Sequence, residues 1–256
     1  MKMGLLKFSK EIKHLIYVII VLSIVFAFND GSGSFVFSNW LNNFLSTLIL
    51  VTVVVLTFFV GIKVASKLLN YDTEFCIWKL KYAGFSRESK FPYNVKLFDT
   101  VLFRVYLFPH IGTIIALVLT LISNGGLFFT AIFTFLAKEK RKIGKDRVYL
   151  KGSTELSITL ISIVFILVLI MLFKILNIEK GLLIGSWFLI WNLIPIGPLL
   201  GSKIFFSSRT LYFGTLIFTI LFLSIVSVMP LFVGLLITTL FSVIAMIVYF
   251  WKFECK

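Results

Sequence analysis

From Leu211 to Trp251 the chain runs for 41 residues without a charged side chain. A helix of a water-soluble domain keeps one polar face, and this stretch has none. About 20 apolar residues carry a helix across ~30 Å of hydrocarbon, so a run of 41 is too long for one span. Pro230 divides it into two helices joined by a tight turn, because proline lacks a backbone donor and clashes with the preceding helical turn. The run demands a membrane, and the rest of the chain agrees. The sequence is 59% hydrophobic and 14% charged over 256 residues, where soluble domains average about 25% charged. These features predict an all-α fold, a polytopic transmembrane bundle forming one membrane domain over residues 1–256.

Six more apolar segments precede the long run. Leu15 to Phe28 reads as a retained first membrane helix, because Asn29-Asp30 follows it in place of a small-x-small cleavage site. Next come Leu41 to Leu69, Thr100 to Ile122, Leu127 to Ala137, Ser157 to Ile175 and Leu182 to Phe206. Leu127 to Ala137 holds only 11 residues. It reads either as a short helix inside the bundle or as the return arm of a hairpin, after the turn signal Ser123-Asn124-Gly125-Gly126. The count is eight segments. With the amino terminus inside and the segments alternating, 23 of the 25 Lys and Arg residues face the cytoplasm. Only Lys174 and Lys180 fall outside. The positive-inside rule thus predicts a multi-pass protein of the cell membrane with both termini cytoplasmic. It also accounts for the net charge of +14 without nucleic acid, since the basic residues lack the aromatic interleaving of a single-strand binding surface. Cys76 and Cys255 lie in or beside basic stretches, where thiols stay reduced, so no disulfide is expected. No CxxC or Cys/His cluster exists to form a structural zinc site.

One apolar segment is irregular. Asn192-Leu193-Ile194-Pro195-Ile196-Gly197-Pro198-Leu199-Leu200-Gly201 carries two prolines and two glycines. Such backbone survives at membrane depth only where protein or water covers it, so the segment belongs in the interior of the bundle. It resembles the second zinc-binding motif of the site-2 protease family of intramembrane metalloproteases, roughly Asn-Leu-Leu-Pro-Ile-Pro-Pro-Leu-Asp-Gly. Other patches are similar to archaeal members of that family. They are Phe8-Ser9-Lys10-Glu11-Ile12 with the run ending Ala27-Phe28; Lys63-Val64-Ala65 with Thr73-Glu74-Phe75 and Trp78; Val148 to Ser153; and Trp191 to Ile204. In order they cover most of residues 8–206, with the two helices of 211–251 as additions.

The resemblance implies a chemistry that these residues lack. The family uses His-Glu-x-x-His, two imidazoles one turn apart with the Glu as general base for a zinc-bound water. An Asp in the second motif completes three protein ligands and leaves one position open. Aligned on Glu74-Phe75 and Trp78, the first motif falls on residues 58–62. Phe58, Phe59 and Ile62 stand where the ligands and base would be. Leu200 replaces the Asp, and Leu156 replaces an Asn of a Gly-Pro-x-x-Asn segment. No shift of register recovers a ligand: no His occurs between His14 and His110, and no Asp or Glu between Asp30 and Asp72. The expectation is a pseudoprotease without metal or other cofactor. Its partners would be membrane lipids and a transmembrane protein segment or subunit, with Asn192, Pro195, Pro198 and Gly201 as the candidate binding positions. Two alternatives are a metalloprotease with ligands supplied from elsewhere and a small permease or lipid-handling protein.

Other polar residues have plainer readings. His110, after Pro109, suits a neutral imidazole bonded to a neighbouring carbonyl. Glu155 suits the first turn of a helix, with Thr154 as its cap. Asn192 either bonds backbone freed by the prolines or holds an extended strand. For the 138–151 loop, binding of anionic headgroups is one reading, but a solvated topology signal explains it without further function.

Overall fold

A computed structural model describes residues 2–29, 36–78, 93–97, 100–105, 110–139, 152–226 and 229–254. Their order is α1 (Lys2–Ala27), α2 (Phe37–Leu68), β1 (Tyr71–Ile77), β2 (Tyr93–Leu97), β3 (Thr100–Val105), α3 (Ile111–Ile122), β4 (Phe133–Glu139), α4 (Gly152–Ile175), α5 (Glu179–Leu193), α6 (Leu200–Ser207), α7 (Arg209–Val226) and α8 (Leu231–Tyr249). A π-turn over Phe250–Glu254 continues α8. Among the described residues, four helical stretches are long and apolar enough to cross a membrane: α2, α4, α7 and Phe232–Phe253. The chain is a mostly helical membrane protein.

The apolar residues divide between core and lipid. On α2, Val51, Val54, Val55, Phe58, Ile62 and Ala65 are buried, a stripe at three- and four-residue spacing. Leu45, Ile49, Leu56 and Val60 on the same helix are exposed. Such a second apolar face is costly in water and natural in hydrocarbon. Gly61 lets α4 approach closely, since a Cβ there would lie 3.2 Å from Phe165 and from the Ser162 backbone. α8 is mostly outward-facing, with Leu236, Leu240, Val243 and Ile247 exposed.

Helix ends follow local chemistry. Asn70, Asn124 and Asn177 adopt left-handed φ of 60°, 49° and 53° just past α2, α3 and α4. Asparagine tolerates this conformation better than most residues. After α4, the Ile178 and Asn177 N–H groups bond Phe173 O and Lys174 O at 2.9 and 3.2 Å, the Schellman pattern.

Three expectations need correction. The fold is not all-α: β1 pairs antiparallel with β4, and β2 with β3. The expected helix Thr100 to Ile122 is a strand, β3, and a 12-residue helix, α3. Pro109 stands between them, and the residue before a proline is disfavoured in a helix. Thr154 does not cap α4, which begins two residues earlier at Gly152. Glu155 does lie in the first turn.

Leu127 to Ile132 is irregular, with Ile132 N bonded to Thr130 O at 2.8 Å, and the rest of the segment belongs to β4. Its course is fixed at both ends. Asn29 Nδ2, just past α1, donates to Asn124 O at 3.1 Å. At the far end Glu139 pairs with Tyr71, and β1 lies against the first half of α1, where His14 Nδ1 meets Phe75 O at 3.2 Å. The segment therefore runs back along α1 as a return arm. Residues 129–135 are all buried, so protein covers this backbone, as a membrane interior requires of irregular structure that water does not reach.

Candidate functional site: a β-ribbon beside a proline-glycine turn

The register of the β1–β4 ribbon determines which carbonyls face outward. Trp78 N donates to Ile132 O at 2.9 Å, one step beyond the Ile77–Phe133 pair. In an antiparallel ladder, bonded and non-bonded pairs alternate. Thus Thr73, Phe75, Phe133, Phe135 and Ala137 point their backbone groups away from the partner strand. Exposed strand edges are hazardous, and an unpaired carbonyl in an apolar interior costs free energy. Three side-chain donors from three helices meet this demand. Lys63 Nζ of α2 donates to Thr73 O at 2.7 Å. The His14 ring of α1 lies against Phe75 O. Lys203 Nζ of α6 donates to Phe135 O.

The two lysines have different settings. Lys63 also bonds both oxygens of Glu11, at 2.9 and 2.8 Å, and Glu11 is buried. Ser66 and Thr73 hydroxyls extend this network, at 3.2 Å. Lys203 lies 3.6 Å from the Phe135 ring centroid and 3.8 Å from Glu155 Oε1. Its side chain is 9% exposed, so the ammonium depends on the carbonyl, the ring and the carboxylate for what water would supply.

One ribbon face carries aromatic rings. Phe133 lies 5.3 Å from Phe58, 5.5 Å from Phe188 and 5.1 Å from Phe75, between centroids. The other face meets the proline-glycine turn. Thr134 Oγ1 donates to Pro198 O at 2.5 Å. Trp78 packs on Gly197, where a Cβ would come within 3.1 Å of the indole. Cys76, directly opposite Thr134, is buried and forms no disulfide among the described residues. Cys255 lies outside the described residues.

The turn itself is built from hydroxyl groups. α5 ends at Leu193 and Ile194 is extended, as expected before Pro195. Gly197 has φ 56°, a conformation glycine reaches without steric cost. Ser202 Oγ sits 2.6 Å from Gly197 O and 2.7 Å from Leu199 O. Tyr212 Oη donates to Leu193 O at 3.2 Å. Asn192, fully buried, donates Nδ2 to Phe188 O at 2.8 Å. That carbonyl lies one turn earlier and is not one that the prolines free. Asn192 Oδ1 and the Nε1 atoms of Trp78 and Trp191 are buried without a hydrogen-bond partner in the described protein.

No protein-family model, curated protein or solved structure matches the chain. The geometry must speak for itself. Phe58, Ile62 and Leu200 lie in one continuous core, and Phe59 and Leu156 pack against it half-buried. Phe59 turns toward Phe75, edge-on at 5.9 Å, and toward Lys63. Among the candidate binding positions, Asn192 and Gly201 are buried, Pro198 is half-buried and Pro195 is exposed. The described residues contain no group of three His, Cys, Asp or Glu able to hold a metal ion. His110 occupies the N-cap position of α3 without a side-chain capping bond, and its ring tilts against Tyr17 at 5.5 Å. The side chains of residues 138–151 lie outside the described part of the chain.

Sequence reading missed the ribbon and its donors. The available signal was a pair of lone lysines, Lys63 and Lys203, inside apolar stretches. A cation there needs a dedicated partner.

An open cleft of about 380 Å³ adjoins the outer edge of β4. Thr134, Phe135, Leu136, Glu155, Lys203 and Phe206 are among its walls. This arrangement offers a strand edge, a carboxylate and a cation beside a rigid turn. It is suited to holding an extended segment.

Proposed function

We propose that the protein is a non-catalytic membrane protein with a site-2 protease-like core, a pseudoprotease that binds a membrane segment or partner subunit in extended form. One observation carries this reading: apolar Phe58, Ile62 and Leu200 are buried in one core at the positions where the resemblance would put metal chemistry. The motif's turn is meanwhile kept by Pro195, Gly197, Pro198 and Gly201. The ribbon edge beside that turn supplies backbone partners for a bound strand. Lipids cover the exposed faces of α2 and α8.

Metal content tests the reading. Purified protein is expected to carry no stoichiometric zinc by elemental analysis. About one zinc per chain, removed by a chelator together with a proteolytic activity, would replace the pseudoprotease with a metalloprotease.

We further propose that both termini lie in the cytoplasm. The return arm of residues 123–139 supports this, because it keeps the alternation on which the basic-residue asymmetry depends. In intact cells, a membrane-impermeant maleimide should label a Gly33→Cys variant and leave a Lys145→Cys variant unlabelled. The opposite pattern would invert the protein.

A further inference from the structure

We propose that Lys203 is a latch on the outer edge of β4, closed on the Phe135 carbonyl and released onto Glu155. This inference concerns the regulation of the same cleft and rests on the reading that the cleft holds an extended segment.

The register makes Phe135 O an outward carbonyl, the atom an added strand would use. Lys203 occupies it. The ammonium is nearly buried and cannot simply leave, since an unpaired charge in apolar surroundings is costly. It does not need to leave. Glu155, in the first turn of α4, already forms an ion pair with the ammonium in the closed state, with Oε1 at 3.8 Å, longer than a direct hydrogen bond. A rotation of the flexible lysine stem closes that gap and frees the carbonyl. In either position the cation keeps a strong partner. Lys63 on the opposite edge differs: it hydrogen-bonds Glu11 and Thr73 O simultaneously. The cleft lies beside the closed latch, with Leu136 half-buried on its wall. A segment that enters can therefore meet β4 as soon as Lys203 turns.

The test uses the full chain in detergent, carrying Cys255→Ser and Leu136→Cys. The rate at which a maleimide reacts with the introduced thiol reports access to the edge. Lys203→Met removes the latch and keeps most of the apolar stem. It should speed labelling about tenfold, comparable to one net hydrogen bond. Glu155→Gln weakens the open position and should slow labelling. The two changes together should match Lys203→Met alone, since Glu155 acts through Lys203. Should Lys203→Met fail to fold, Lys203→Arg serves. Its wider guanidinium can bond the carbonyl and the carboxylate together, so labelling should slow. Labelling at the wild-type rate in every folded variant would overturn the latch.

A capped, fluorescein-labelled peptide of alternating valine and threonine separates the latch from the reading beneath it. If labelling changes as expected and the peptide binds no variant, the latch stands and the strand-holding function fails. If the peptide binds every variant with equal affinity and labelling is unchanged, the latch alone fails.

Discussion

Gly201→Ala should abolish the native packing of α6. A Cβ at this position would lie 1.9 Å from Leu193 O, 2.4 Å from Leu193 C and 2.8 Å from Ile194 O. All three are backbone atoms, so no side-chain rotation relieves the clash. α6 would have to move away from the end of α5. Ser202 would then lose Gly197 O and Leu199 O, and Lys203 would lose Phe135 O. Overpacking a core typically costs 1–3 kcal/mol; here the cost should reach or exceed roughly 3 kcal/mol, because rigid backbone is what must yield. Thermal unfolding in detergent, followed by size-exclusion chromatography, measures it. Gly234→Ala is the control. Its nearest neighbour is Ile225 Cγ2 at 3.0 Å, the end of a side chain that can shift. A Gly201→Ala protein as stable as the wild type would show that α6 does not approach Leu193 this closely.

The same segment shows how far sequence carries and where it stops. Pro195, Gly197, Pro198 and Gly201 announce an interrupted helix, and the chain does break between α5 and α6. The sequence does not say which backbone Gly201 must admit, because the partner becomes defined only when the turn closes. The long helices are legible for a simple reason: each is one uninterrupted apolar run, so length against bilayer thickness decides them. The asparagines after α2, α3 and α4 are legible too, as helix-ending residues. The β1–β4 ribbon is harder. Tyr71-Asp72-Thr73-Glu74-Phe75 alternates at the strand period, but Cys76-Ile77-Trp78 ends the alternation. Phe133-Thr134-Phe135-Leu136-Ala137 is mostly apolar and reads equally as helix or strand. Only the pairing of Tyr71 with Glu139, distant in sequence, selects the strand. The donors are non-local in the same way. Glu11 and Lys63 lie 52 positions apart, and nothing near either residue announces the other. Lys203 and Phe135 are 68 apart. Local chemistry explains the helix ends, whereas the candidate site depends on contacts made across the fold.

Phe58→Ala should destabilise the protein by about 3–5 kcal/mol, the range for a large aromatic deleted from a packed core. Phe58 is 0% exposed, with the rings of Phe133 and Phe188 at 5.3 and 5.5 Å. Neither ring can collapse into the space without leaving the ribbon or α5. Phe59→Ala should cost less than half as much, because Phe59 is only half-buried at the margin of the core. A larger loss at Phe59 than at Phe58 would reverse the assignment of which face of α2 meets the core. Leu200→Asp tests the other side of the lost motif. Leu200 is 1% exposed, and a carboxylate there would be buried among apolar side chains, a worse change than a cavity. Its loss should therefore equal or exceed that of Phe58→Ala by the same unfolding measurement. Zinc should not restore it. A single carboxylate is one ligand, structural and catalytic zinc sites use three or four, and α2 offers no imidazole. Recovery of stability on adding zinc to Leu200→Asp would mean that metal ligands do converge on this position, and the reading of an apolar, non-catalytic core would fall with it.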